Sequence, residues 1–484
     1  MFLLYKNVII ITIFFKKGFL TMEKKRGSFS GQIGFVLAAA GSAVGLGNIW
    51  RFPYLAAKDG GGVFLLTYLI LALTFGFALL TTEVALGRKT RQGPLTAYGK
   101  VDKRFSFVGL FACLVPVIIL PYYSAIGGWV FKYLSVYATF KGPQAAEDGF
   151  FGGFITSTAE PIIWMLIFFG ITAFVVFAGV EKGIEKFSRV LMPILFLLIV
   201  GISIYSLTLK HADADGAVRT GLQGLKIYLI PSFAGMGFRD ILSVIMDAMG
   251  QLFFSISVAM GIMVAYGSYV PEDSNMMKSI NQIEFFDTLI AFLAGLMIIP
   301  AVIVFSGTEG MAAGPSLIFV ALPKIFTQMG TLGHIVGLVF FLIVAFAAVT
   351  SSVSIMEAIV SSFMDKFHWS RKKASVIVAA YALIMGLVVC LGYNVFYFEL
   401  TLPNGSVAQI LDVMDYISNN IFMPFLALCT CILFGWVAKP DYIINEVTRN
   451  GEKFQRRRLY YAMIKFVAPV LLLILLIKGI GIIG

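Results

Sequence analysis

Between Leu37 and Phe52 the chain reads LAAAGSAVGLGNIWRF, with Gly41, Gly45 and Gly47 crowded beside Ser42 and Asn48, directly before Arg51. The stretch lies inside a long apolar run. Glycine weakens a helix interior by about 1 kcal/mol relative to alanine, and hydrocarbon offers no water to freed backbone groups. A break there is tolerated only where protein or a wet cavity satisfies the exposed N–H and C=O groups. A guanidinium at that depth needs the same cavity. A second apolar run, Gln251 to Gly261, repeats the pattern with Ser255, Ser257, Met260 and Gly261. Other apolar segments carry Thr350-Ser351-Ser352, Glu284 with Asp287, and Asp412 with Asp415. The hydroxyls either back-bond to their own helix or ligate a cation. A lone carboxylate in a bilayer costs about 2.5–3.5 kcal/mol on insertion scales, so each needs a partner, an ion or water. Carboxylate, carbonyl and hydroxyl oxygens suit hard cations. These residue types point to capture of a small charged solute together with a hard cation.

The elements that must position them are membrane spans. Hydrophobic residues make up 59% of the 484 and charged residues 13%, with a mean hydropathy of +0.90. That is a polytopic helical membrane protein, since a soluble core of this size still needs a charged surface. Eleven spans are expected, at roughly 31–57, 62–87, 106–138, 160–179, 187–208, 240–269, 279–306, 333–363, 374–397, 407–437 and 460–482. Lys and Arg concentrate in the segments 24–26, 88–104, 182–189, 366–373 and 439–458 and at Lys278, while Lys132, Lys141, Lys210, Arg219, Lys226, Arg239, Lys324 and Lys478 are scattered over the opposite side. The segment before the first span is therefore expected in the cytoplasm, and an odd span count puts the C-terminus outside. The first and sixth spans, each the first of five, are both interrupted. Two such segments in corresponding positions of two halves point to an inverted-repeat secondary transporter with a midplane site. Small-residue helix packing around Gly41-x-x-x-Gly45 is the plainer explanation of either break alone.

Several classes fall away. The net charge of +11 sits in short loops between spans, so it does not argue for nucleic acid. Cys113, Cys390, Cys429 and Cys431 lie in apolar stretches without metal-ligand spacing, and His211, His334 and His368 are far apart. No G-x-x-x-x-G-K-[ST] loop is present to cradle a nucleotide phosphate, which leaves an ion gradient as the driving force. No nucleophile–base pairing argues for an enzyme. Residues 1–21 hold an apolar run too short to span. They are expected to be an extension upstream of a working start at Met22.

The motifs AGSAVGLGNIWRFPYLAAKDGGGVF, GQLFFSIS, AVTSSVSIMEA and LDVMDY resemble the neurotransmitter:sodium symporter family, in its bacterial amino-acid transporter branch, over residues 22–482. The resemblance implies an all-α polytopic fold of 5+5 inverted repeats. Helices 1 and 6 are discontinuous, repeat one covers about 31–208, repeat two about 240–437, and an eleventh span about 460–482. It implies sodium-coupled import of an amino acid across a bacterial inner membrane. By the same resemblance one sodium is held by the Ala43 carbonyl, Asn48, Ser255, Asp287 and the substrate carboxylate. A second is held by the Gly41, Val44 and Ala347 carbonyls with Thr350 and Ser351. Tyr123 would bond the substrate carboxylate, near Ala43, Gly45, Gly47, Ser255 and Ser351. Ile119, Phe254, Ser257, Met260 and Ile355 would line the side-chain pocket.

Arg51 and Asp415 match an external gate pair, with Tyr123 and Phe254 closing over the substrate. Arg26 and Asp365 match a cytoplasmic pair, where Phe29 replaces the family's tryptophan. Asp287 stands where chloride-dependent members have asparagine, which implies that chloride is not needed. Ser42 occupies the aspartate position of amine carriers, Ala259 replaces a glycine, and a twelfth span is lacking. The Gly183–Pro193 spacing matches a stretch that unwinds in similar proteins. Met260 and the small Ser257 favour a bulky apolar or aromatic side chain. A same-fold carrier of another solute and a non-concentrating channel or sensor are the rival readings. The oligomeric state is not legible.

Overall fold

Apolar runs in a bilayer satisfy their own backbone as helices, and helices form nearly all of the fold. The computed structural model describes residues 27–482, apart from 213–217, 234, 308, 309, 312 and 313. Residues 1–21 and Arg26, the expected extension and inner gate cation, lie outside the described residues.

The first crossing comes in two pieces, α1 (Gln32–Ala43) and α2 (Gly47–Lys58), bent by 51° at the Val44–Leu46 break. α3 (Gly62–Thr90) follows, then the short α4 (Pro94–Val101), and α5 (Lys103–Ala138) runs back across. α6 (Glu160–Ala178) and α7 (Val180–Thr208) complete the first five crossings. A small antiparallel pair, β1 (Lys210–Ala212) with β2 (Val218–Thr220), and α8 (Gly221–Leu229) link the halves. The sixth crossing is again divided, into α9 (Phe238–Ser255) and α10 (Ile262–Gly267). Between them Ser257, Ala259 and Gly261 take left-handed backbone, φ +53°, +57° and +70°. Helix cannot continue through such residues.

α11 (Met276–Ser306), α12 (Leu317–Gln328), α13 (Thr331–Phe367), α14 (Arg371–Leu391), α15 (Ile410–Val437), the short α16 (Asp441–Val447) and α17 (Arg457–Gly479) finish the chain. Among the described residues, nine helices are long and apolar enough to cross a bilayer without a break. The bent first crossing makes ten, and the divided pair α9–α10 occupies the place of the expected sixth span.

The fifth span departs from expectation at its start. It begins at Val180, on a wide π-type turn through Glu185, and continues as helix past Pro193. The Gly183–Pro193 stretch is therefore helical, not opened. Gly183 has a packing reason: a Cβ there would lie 2.1 Å from the Val175 carbonyl oxygen.

Candidate functional site

Both breaks and the middle of α11 converge on one polar cluster. α1 ends at the buried Ala43, and Val44 leaves helical backbone (φ −78°, ψ 86°). α2 then opens on a wide turn that carries Asn48 inward. The Asn48 amide donates to Ser255 Oγ (3.0 Å) and to Asp287 Oδ1 (3.1 Å). Ser255 Oγ donates to Asp287 Oδ1 at 2.6 Å. From α3, the Tyr68 hydroxyl lies 2.9 Å from Ser255 Oγ and 3.1 Å from Asp287 Oδ2. Gln251 Nε2 donates to the Gly47 carbonyl at 3.0 Å. Asp287 is fully buried, and its three partners are neutral donors. Asn48 Oδ1 and Gln251 Oε1 are buried without a hydrogen-bond partner. A carboxylate, an unpartnered amide oxygen and a hydroxyl together form a donor set suited to a hard monovalent or divalent cation.

The residues expected around a second cation lie where α1 meets α13. A Cβ on Gly41 would lie 3.5 Å from Thr350 Cβ, so α1 and α13 meet closely there. Thr350 Oγ1 back-bonds to Phe346 (3.0 Å) and Ala347 (3.1 Å) carbonyls. Ser351 Oγ and Ser257 Oγ each donate to the Ser42 carbonyl at 3.0 Å. That carbonyl lies at the end of α1, where the helix stops. Val44 and Ala347 are fully buried alongside.

Bordering the second cluster is a cavity of about 20 Å³, lined by Ser42, Gly45, Ile119, Tyr123, Phe254, Ser257, Met260, Ile262, Ser351 and Ile355. Its volume is enough for roughly one water. Ala43, Gly47 and Ser255, expected at the substrate, are not among its lining residues, while Ser42 and Ile262 are. The Tyr123 hydroxyl is buried and unpartnered. The Phe254 ring lies against the Gly47 backbone, 2.3 Å from where a Cβ would stand.

The expected gates are partly assembled. Among the described residues Arg51 makes no ion pair with Asp415. Asp415 Oδ1 is held instead by Asn419 Nδ2 at 2.6 Å, and Arg51 borders a polar cavity of about 230 Å³ with Asp247, Asn419 and Lys478. Just outside it, Lys58 Nζ lies 2.6 Å from Asp247 and 3.7 Å from Asp59. Burial, then the charge of Asp247, push the Asp59 carboxyl up to about 6, against the opposing pull of Lys58. On the other side Asp365 accepts the Gly93 N–H. Phe29 is buried against Tyr266 and Tyr269, and its N–H donates to the Tyr269 carbonyl.

Sequence reasoning missed Tyr68, Glu83 and the buried pair Arg371–Glu357 (2.7 Å), which Tyr269 joins through its hydroxyl. Glu83 accepts the Ala259 N–H at 2.7 Å. A carboxylate within an apolar span was the available signal for Glu83 and Glu357. Glu284, in contrast, is accounted for by Arg456 at 2.6 Å, and Asp412 by capping the Gln409 N–H at 3.0 Å.

Two broken crossings that meet at buried oxygen clusters beside a small cavity, within a multi-pass helical fold, are the architecture of a secondary transporter. The chain belongs to the sodium:neurotransmitter symporter family, whose model matches residues 26–146 and 155–483. It is 34% identical to an uncharacterized sodium-dependent transporter of Bacillus subtilis, over 96% of this chain and 99% of that one. It is 26% identical to the human sodium- and chloride-dependent GABA transporter 2, over 86% of this chain and 75% of that one. The solved structure of MhsT in complex with L-phenylalanine is similar at 33% identity and a TM-score of 0.81, covering 94% of this chain and all of MhsT. The protein is a sodium-dependent symporter of this family, embedded in a membrane.

Proposed function

We propose that this symporter imports a bulky hydrophobic or aromatic amino acid with two sodium ions, by alternating access and without chloride. The observation that carries the reading is Asp287, a buried carboxylate held by neutral donors beside the unpartnered Asn48 oxygen. Sodium there is ligated by the Ala43 carbonyl, Asn48, Ser255, Asp287 and the substrate carboxylate. The Asp287 charge takes the role that a chloride ion has in relatives with a neutral residue. A second sodium is ligated by the Gly41, Val44 and Ala347 carbonyls with Thr350 and Ser351. The substrate carboxylate accepts from Tyr123, and helix ends freed at the breaks stabilise it. Ile119, Phe254, Ser257, Met260 and Ile355 surround the side chain.

The complex of MhsT with L-phenylalanine supports a bulky apolar substrate. To admit one, the cavity widens by movement of Phe254 and of Met260, a flexible residue. Arg51 with Asp415, and Arg26 with Asp365, gate the two sides. One transport domain, residues 22–482, lies in a bacterial inner membrane with the N-terminus inside and the C-terminus outside. Two sodium ions and a zwitterion carry two charges. At about 2.3 kcal/mol per charge per 100 mV that is about 4.6 kcal/mol, or roughly three decades of accumulation.

Uptake of radiolabelled phenylalanine into proteoliposomes, with and without sodium, tests the reading. Competition by all twenty amino acids then ranks substrates. Bulky apolar amino acids compete best, and gluconate in place of chloride changes nothing. Best competition by glycine or a charged amino acid overturns the substrate, and collapse in gluconate overturns chloride independence. Equilibration without accumulation identifies a channel.

A further inference from the structure

Glu83 lies in the C-terminal half of α3 and is 1% exposed. Its Oε1 accepts one hydrogen bond, from Ala259 N–H at 2.7 Å. Its Oε2 has no partner, and among the described residues no cation pairs with it. Tyr98 on α4 is a titratable side chain that feels its charge. An ionised carboxylate in apolar surroundings with one N–H and no counter-charge loses several kcal/mol of solvation, and such a group neutralises instead. The acid form keeps Oε1 free to accept from Ala259 and places the proton on Oε2.

Its surroundings divide into two sides. α3 and α10 touch backbone to backbone: a Cβ on Gly87 would lie 2.0 Å from the Val264 oxygen, and one on Gly267 2.4 Å from the Val84 oxygen. Such contact leaves no room for a side chain between the two helices. On the other side Gly261 rests on the corner of α4 and α5, where a Cβ would lie 2.8 Å from Pro94 and 2.5 Å from the Ala112 oxygen. Glu83 therefore sits at the seam between the α3–α10 pair and the α4–α5 corner.

We propose that Glu83 is a proton-binding site that couples closure of this seam to the pH of the cytoplasm. The inference rests on the orientation and alternating access proposed above. When the seam parts to release solute inward, water reaches Glu83. The Oε2–H bond breaks, the proton goes to water, and the electron pair stays on Oε2. A carboxylate cannot be buried again at low cost, so closure waits for a proton from the cytoplasm. That proton is returned to the same side at the next opening, and none crosses the membrane. Opening starts from the sealed acid and does not sense internal pH. Closing does, so an acidic interior speeds the return of the empty carrier.

The test uses the full chain in proteoliposomes with external pH and sodium fixed. Wild-type uptake rises about threefold or more as internal pH falls from about 8 to about 6, across the range where carboxyls without a counter-charge take up protons. Glu83→Gln keeps an acceptor for Ala259 but cannot release a proton, so its uptake, whatever its absolute rate, is flat over that range. Infrared spectra of the purified protein at neutral pH supply a readout independent of transport. The wild type minus Glu83→Gln difference contains a protonated carboxylic acid band. Flat wild-type uptake, internal pH dependence retained in Glu83→Gln, or a difference spectrum showing a carboxylate in place of the acid each overturns the proposal. If Glu83→Gln is inactive, the infrared difference decides. A protein that fails to take up amino acid at all but shows the acid band separates failure of the transport reading from failure of the proton site.

Discussion

The amide nitrogen of Asn48 lies 3.1 Å from Oδ1 of Asp287, which ties the break in the first crossing to the middle of the seventh. Each is buried with the other as a partner, and Ser255 bonds to both. A cation placed among them would bridge the same two elements, so ion binding and the geometry of the broken helix are one equilibrium.

Asp287→Asn keeps the shape and an acceptor for Ser255 but removes the charge. Sodium affinity falls about tenfold or more, equivalent to about 1.4 kcal/mol. Sodium titration of radiolabelled substrate binding measures it. An unchanged sodium dependence removes Asp287 from the ion site.

Gly47→Ala puts a methyl 2.3 Å from Phe254 Cδ1, well inside contact, so the ring must turn away from the cavity it lines. Substrate binding weakens by about tenfold, while stabilisation by sodium alone is retained. Phe254→Ala on the same background shows non-additive effects, as coupled neighbours do. Additive losses in a binding assay mean that the ring and Gly47 act separately.

The Asp59 carboxyl titrates at about 6, above the ordinary 3.8, because burial and the charge of Asp247 disfavour its ionised form. A raised value in the folded state means that the associated stability is fully present below the unfolded value and lost as pH rises through about 6. The Asp59 contribution to stability is therefore present below about pH 4 and absent above about pH 6, and Asp59→Asn lacks this component. The difference between the two proteins in thermal unfolding, of the order of 1 kcal/mol once solvent screening of this partly exposed group is counted, disappears at acid pH. A difference that grows on acidification contradicts the assignment.

Arg371→Met strands Glu357, whose side chain has no exposure. Leaving one member of a buried pair unpaired costs about 3–5 kcal/mol. Adding Glu357→Gln restores part of the loss, because the charge is gone while the Tyr269 contact, 2.6 Å in the parent, can re-form. Thermal stability of the four proteins in a double-mutant cycle reads the coupling. Equal loss in single and double variants means that the pair contributes packing alone.

Much of this protein is legible along the chain because a bilayer leaves the backbone few choices. Runs of apolar residues become spans, and Gly41, Gly45 and Gly47 mark one break as Ser255, Ser257 and Gly261 mark the other. The carboxylate of Asp287 announces a need for a partner, although not which partner. The rest depends on distances that spacing does not encode. Tyr68 is one aromatic among many until the crossing of α3 and α11 sets its hydroxyl beside Asp287. Nothing links Glu83 to Ala259 until α3 and α10 meet through their glycines. Arg51 and Asp415 are matched by type, yet in this conformation Asn419 holds the carboxylate and the guanidinium faces a cavity.

The sequence by itself therefore determined the spans, the two interruptions and the oxygen-rich residue types, since solvation in hydrocarbon acts on each residue locally. Only the tertiary structure decided which of those groups meet, which remain unpartnered and which acid is sealed without a cation, because hydrogen bonds and ion pairs depend on ångström distances between elements far apart in the chain.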